Sequence, residues 1–302
     1  MFRLLILVLL LSPLSGKTQN FKVDVSRWQM DSINKVVTNH IELGKFYLAL
    51  QLNGRLDSMI SNHLDTLSES YGLYCLNKGR INAFYNKTKD AEDNYLNAKH
   101  IYNKQGNSNP TYFKTLNYLA LFYRGIGAYK SSEKTYDELK KLLTKAYAKI
   151  DSQYINCLNE MGLLYKDMQQ YKKAESYLIE AQKLQLASLS QDHPNLANTL
   201  NNLGILYKNM GRYEEAIHCY NEVLRIREIH LGKLHILYTS SLTNLANLYL
   251  DLANYPLAEY CFLELIRLRG KAYGPNHPYY ATSLEGLAQL YKAMGIYKKA
   301  IA

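Results

Sequence analysis

The sequence predicts an all-α fold of stacked helical hairpins, a solenoid. Three observations predict it. A tyrosine recurs every 42 residues, at Tyr123, Tyr165, Tyr207, Tyr249 and Tyr291. Each carries the same surroundings: Leu119, Met161, Leu203, Leu245 or Leu287 four residues earlier, and Ala120, Gly162, Gly204, Ala246 or Ala288 three earlier. A second tyrosine follows six residues later, at Tyr129, Tyr171, Tyr213, Tyr255 and Tyr297. A fixed period in this range marks units that bury their apolar surface only by stacking on copies of themselves.

One unit shows why. Leu200, Leu203, Tyr207 and Met210 fall at helical spacing and form one apolar stripe. Gly211 then closes that helix, because a residue without Cβ accepts the left-handed closing conformation. Ala216, Tyr220, Val223 and Ile226 form a second stripe, so the unit is a hairpin of two antiparallel helices. Gly204 and Ala216 are expected where the two backbones approach. Ser132 replaces the second-helix alanine in the first copy.

Leu203, Gly204, Tyr207, Tyr213, Ala216 and Tyr220 occupy the slots of a tetratricopeptide repeat, and the same slots recur in flanking copies. The turns Gln191-Asp192-His193-Pro194 and Gly274-Pro275-Asn276-His277-Pro278, with the run Leu200 to Leu203, resemble the 42-residue repeats of kinesin light chain and related exported bacterial proteins. The resemblance covers residues 113–302 and implies a right-handed α-solenoid. The fifth copy stops at Ala302, just inside its second helix, so the chain reads as a fragment.

The first sixteen residues differ in kind. Arg3 precedes the apolar run Leu4 to Leu11, which Ser12, Pro13, Ser15 and Gly16 break. This reads as a secretory signal peptide, too short to span a bilayer. An uncleaved membrane anchor is the alternative. Residues 17–112 read as a helical region with diverged repeats. Ile33, Val36, Val37, Ile41, Phe46 and Tyr47 suggest one amphipathic helix. Leu43, Gly44 and Tyr47 mimic the later core spacing, and Tyr85 lies midway between Tyr47 and Tyr123. Trp28 reads as a residue capping the stack. Asn86-Lys87-Thr88 fits a glycosylation acceptor.

Composition bounds the partners. The net charge of +10 is spread along the chain, and the 28 tyrosines mostly belong to repeat slots, so an acidic protein or peptide fits better than nucleic acid. Of the four cysteines, Cys219 and Cys261 occupy one slot of adjacent units; such positions lie about a helix diameter apart, too far for a disulfide. They read as buried apolar residues, as do Cys75 and Cys157. His193, His235 and His277 likewise repeat at 42 and read as helix-start residues, not a metal cluster. No phosphate loop, nucleophile elbow or dinucleotide fingerprint occurs. No cofactor, metal or small-molecule substrate is therefore expected.

In the resembled family the first helices line a concave groove. The residue six before each core tyrosine is Asn117, Asn159, Asn201, Thr243 or Glu285, and the residue one after is Arg124, Lys166, Lys208, Leu250 or Lys292. Nine before stand Lys114, Asn156, Asn198, Ser240 and Thr282. Asparagine can pair with a peptide backbone, and lysine or arginine with carboxylates. Asn117, Arg124, Asn159, Lys166, Asn201, Lys208 and Lys292 are therefore the candidate groove residues for an extended peptide. An ordinary solvated helix face would read the same way. Three functions stay open: a peptide-binding scaffold, the regulatory arm of a longer enzyme (the resemblance implies a caspase-like peptidase or sensor kinase beyond Ala302), and a rod that self-associates through its incomplete last repeat.

Overall fold

The computed structural model describes residues 18–63, 68–106, 109–147, 151–188 and 192–301. The leader expected at residues 1–16 and the side chain of Trp28 lie outside what it describes. The described residues contain helices and no strand. None of these helices is long and apolar enough to cross a membrane. The chain divides into two compact units, residues 1–142 and 143–302.

The first unit begins with α1 (Thr18–Glu42) and α2 (Phe46–His63), followed by α3 (Glu69–Phe84), α4 (Thr88–Gln105), α5 (Pro110–Gly125) and α6 (Tyr129–Ala146), whose last turn passes the boundary. Each helix packs on the next from α1 to α5, and the first helices of neighbouring hairpins also touch, α1 on α3 and α3 on α5. The second unit holds α7 (Ser152–Asp167), α8 (Tyr171–Ser188), α9 (Pro194–Asn209), α10 (Tyr213–Leu231), α11 (Ile236–Asp251), α12 (Tyr255–Tyr273), α13 (Pro278–Ala293) and the short α14 (Tyr297–Ile301). Sequential helices pair here too, and the first helices of neighbouring hairpins touch directly, α7 on α9 and α11 on α13.

The turn inside each hairpin explains the period. The chain takes a positive φ at Gly44, Asn86, Gly127, Gln169, Gly211, Ala253 and Gly295, each 41 or 42 residues after the last. At Gly211 the closure is a Schellman motif. Arg212 N donates to Tyr207 O at 2.8 Å and Gly211 N to Lys208 O at 3.1 Å, satisfying carbonyls the helix end leaves open. This ladder corrects the expected phase of residues 17–112. Gly44 is the turn between α1 and α2, not a core residue, so the supposed single helix from Ile33 to Tyr47 breaks there. Tyr47 is 66% exposed, and Tyr85 caps α3. The core-tyrosine slot of the second hairpin is held by Asn82, three residues earlier than expected, because Asn86 stands where Gly127 does in the third.

The core matches the apolar stripes. Leu200, Leu203, Ala216, Tyr220, Val223 and Ile226 are buried, while Tyr207 is half-buried. The role of Gly204 differs from expectation: a Cβ there would lie 2.7 Å from the Tyr220 ring, so the small residue admits an aromatic of the second helix instead of a close backbone. Ser132, fully buried, donates to Ala120 O at 2.8 Å, tying α6 to α5 where other copies use alanine. Cys75, Cys157, Cys219 and Cys261 are buried free thiols. Burial pushes Cys219 and Cys261 up to about 11.

Candidate functional site

The first helices of the second unit begin alike. Asp151, His193, His235 and His277 cap α7, α9, α11 and α13. The three histidines accept through Nδ1 from the backbone N–H two residues on, at 3.1–3.2 Å. A cap satisfies a donor that the first turn leaves open. Among the described residues no group of three His, Cys, Asp or Glu side chains could hold a metal.

These helices place the predicted groove residues unequally. Asn159 is only 8% exposed, and its Nδ2 bends back to Ile155 O at 3.1 Å. Its Oδ1 is buried without a partner. Asn201 is half-buried and accepts from Asn244 Nδ2 of α11 at 3.1 Å. The open positions are the ladder three residues earlier: Asn156, Asn198, Ser240 and Thr282 are all exposed. Lys166 pairs with Asp167 at 2.9 Å, and Lys208 with Asp251 at 2.6 Å. The expected bare cationic stripe is therefore partly neutralised from within. Lys292 is exposed. Lys166, Lys208 and Lys292 all sit in the last turn of their helices, where a cation also meets the negative end of the helix dipole. In the first unit Asn117 and Arg124 are half-buried on α5, with Arg124 in the last turn.

Two cations that sequence reasoning missed lie beneath this face. Arg227 of α10 and Arg269 of α12 are 7% and 5% exposed. Arg227 donates from Nη1 to Leu237 O at 2.8 Å and to Ser241 Oγ, and from Nη2 to Asn198 Oδ1 at 3.1 Å. Arg269 repeats the arrangement. Its Nη1 reaches Tyr279 O, Thr282 Oγ1 and Ser283 Oγ at 2.9–3.1 Å, and its Nη2 reaches Thr243 Oγ1 at 2.9 Å. Each guanidinium thus joins the first helix of its own hairpin to the first helix of the next. All these acceptors are neutral, and burial holds both groups below the usual arginine range. The signal was in the sequence as a repeated slot: Leu143, Gln185, Arg227 and Arg269 are 42 apart. Gln185 makes the equivalent bond, Nε2 to Asn195 O at 3.2 Å.

Comparison with known proteins agrees with this geometry. Residues 153–229 and 238–302 match the tetratricopeptide repeat model. No curated protein matches. A kinesin-light-chain-type protein of Podosopora anserina with nearly identical TPR-like repeats is 20% identical, with a TM-score of 0.57 over 63% of this chain and 90% of its own. BtubC (BKLC) from P. vanneervenii is 17% identical, with a TM-score of 0.57 over 76% of this chain and 84% of its own. NprR in complex with its cognate peptide NprX is 17% identical, with a TM-score of 0.62 over 91% of this chain and 77% of its own. The 42-residue hairpins and the matched model identify residues 153–229 and 238–302 as tetratricopeptide repeats.

Proposed function

We propose that the first-helix face of residues 143–302 binds an extended, acidic peptide segment of a protein partner, so that the chain works by recognition and not by catalysis. The observation that carries this is the pair Arg227 and Arg269. A buried charge without a counter-ion is costly, and a carboxylate brought to the surface above it offsets that cost. The residues bonded to those guanidiniums include Asn198 and Thr282, which are exposed on the same face. Their outer surfaces supply donors and acceptors for a peptide backbone. A peptide complex on the same fold, that of NprR, supports the mode of use. Export through the leader at residues 1–16 belongs to this proposal and rests on sequence alone. The test is retention of peptides from an array of acidic, neutral and basic sequences. Preferential retention of acidic peptides supports the reading, and equal retention of all classes rejects it.

A further inference from the structure

At the junction of the first two hairpins, two slots that carry large apolar or aromatic rings elsewhere carry asparagines. Asn53 on α2 stands where Tyr95, Tyr136, Tyr220 and Phe262 stand in other second helices. Asn82 on α3 stands where Tyr123 and its successors stand. Later in the chain these positions fill the space between hairpins: Tyr220 packs with Leu245 and Leu248, and Tyr249 leans on them. With both rings replaced, a cavity of about 460 Å³ opens between α2, α3 and α4.

Both asparagines line that cavity and are 3% and 8% exposed. Among the described residues, Asn53 Oδ1 is buried without a hydrogen-bond partner. Leaving such a carboxamide oxygen unsatisfied costs about 1–3 kcal/mol, and native interiors rarely do so. Gly54 adds an independent sign. It sits inside α2, where glycine costs about 1 kcal/mol relative to alanine, yet a Cβ there would meet nothing within 4 Å. Packing does not require this glycine, and without a side chain it leaves the wall of the cavity open.

The lining states what fits. Leu50 and Ile81 offer apolar wall. Lys78 is already engaged, with Nζ 2.8 Å from Asp57 and 2.6 Å from Tyr74 Oη. Tyr74 in turn donates to Asp57. This leaves Asp90 and Asp93 against Lys87 at the exposed mouth, a net negative rim. We infer that this cavity is a binding site for an alkylguanidinium group, the side chain of arginine. Its N–H groups would bond the carboxamide oxygens, its charge would meet the rim carboxylates, and its stem would lie on Leu50 and Ile81. The site is in the first unit and does not depend on the peptide face of the second.

The test is calorimetric titration of the full chain with N-acetyl-arginine amide, free arginine and N-acetyl-norleucine amide. Saturable binding of the arginine amide, at least about tenfold tighter than the norleucine amide, is expected. Binding by both arginine forms assigns the side chain as the determinant, and binding by free arginine alone assigns the amino acid as ligand. Gly54→Leu and Asn82→Tyr fill the cavity, and each should abolish binding while helical circular dichroism is unchanged. Gly54→Leu adds helix propensity in open space, so it keeps the test valid if Asn82→Tyr misfolds. Asp90→Asn with Asp93→Asn should weaken binding about tenfold or more. Absence of saturable binding, or binding that survives Gly54→Leu, overturns the inference.

Discussion

Tyr291 donates its phenolic hydrogen to Glu259, 2.6 Å away on the second helix of the preceding hairpin. Tyr123 does the same to Glu92 at 2.8 Å. For Tyr207 the register residue is Glu175, held by Arg212 at 2.6 Å. The core tyrosine is thus apolar filling at its ring and a latch between hairpins at its hydroxyl. Ile217 occupies the glutamate slot facing Tyr249, whose hydroxyl has no partner among the described residues. Tyr123→Phe should therefore cost about 1.5 kcal/mol, as for a hydrogen bond to a charged acceptor. Tyr249→Phe should cost less than about 0.5 kcal/mol. Urea unfolding of the two variants checks this; equal losses would mean that the hydroxyls contribute nothing between hairpins.

The helix spacing and the tyrosine slots were legible because each repeats with side chains of one type. The first two hairpins were harder to read. Their core slots carry Asn53 and Asn82, so the tyrosines that remain, Tyr47 and Tyr85, pointed to the wrong phase. The turn ladder is the more durable signal, since Gly44 and Asn86 keep it where the aromatic slots have changed. The groove was read too simply for a similar reason. Sequence spacing gives the face of a helix but not the neighbour that shares it. Asn159 folding back on Ile155, Asp251 closing on Lys208, and Arg227 arriving from another helix all depend on tertiary packing.

Turn chemistry yields a gain-of-stability prediction. Ala253 and Gln169 hold φ of 54° and 58°, where an L side chain is strained. Glycine removes that strain at about 1 kcal/mol per site. Ala253→Gly should raise the unfolding free energy by up to that amount, and Ala253→Val should lower it by more. A loss of stability in Ala253→Gly would mean that the turn is not strained.

Burial ranks a second set of substitutions. Tyr220 is 1% exposed, and Tyr220→Ala should cost about 3–5 kcal/mol. Tyr207 is half-buried under the Arg212 guanidinium, 4.3 Å from its ring centre. Tyr207→Ala should cost about 2 kcal/mol, and Lys208→Ala less than about 0.5 kcal/mol. Chemical denaturation gives the order directly; Lys208→Ala outranking either tyrosine would invert the assigned helix faces.

Alkaline pH should destabilise the chain in part through its buried thiols. Burial raises the folded-state values of Cys219 and Cys261 to about 11, above the ordinary 9.0. Unfolded thiols lose their protons first, so the stability tied to these protons is full below pH 9 and is lost as pH rises towards 11. Between pH 9 and 10 a Cys219→Ala, Cys261→Ala double variant should show a flatter pH dependence than wild type, the tyrosine contribution being common to both. Parallel curves would show that the thiols titrate normally in the fold.

The central claim is that buried arginines make the first-helix face of the second unit a receptor for acidic peptide. Its most direct test is fluorescence titration of wild type, Asn198→Ala and Asp251→Asn with a labelled peptide of alternating glutamate and serine, at about 50 and 500 mM salt. Wild type should bind, and its affinity should fall as salt rises. Asp251→Asn, which frees Lys208, should bind several-fold tighter at low salt. Asn198→Ala should bind more weakly at both salt concentrations. Affinity that is indifferent to salt and to both substitutions, or equal affinity for the lysine counterpart of the peptide, would contradict the claim.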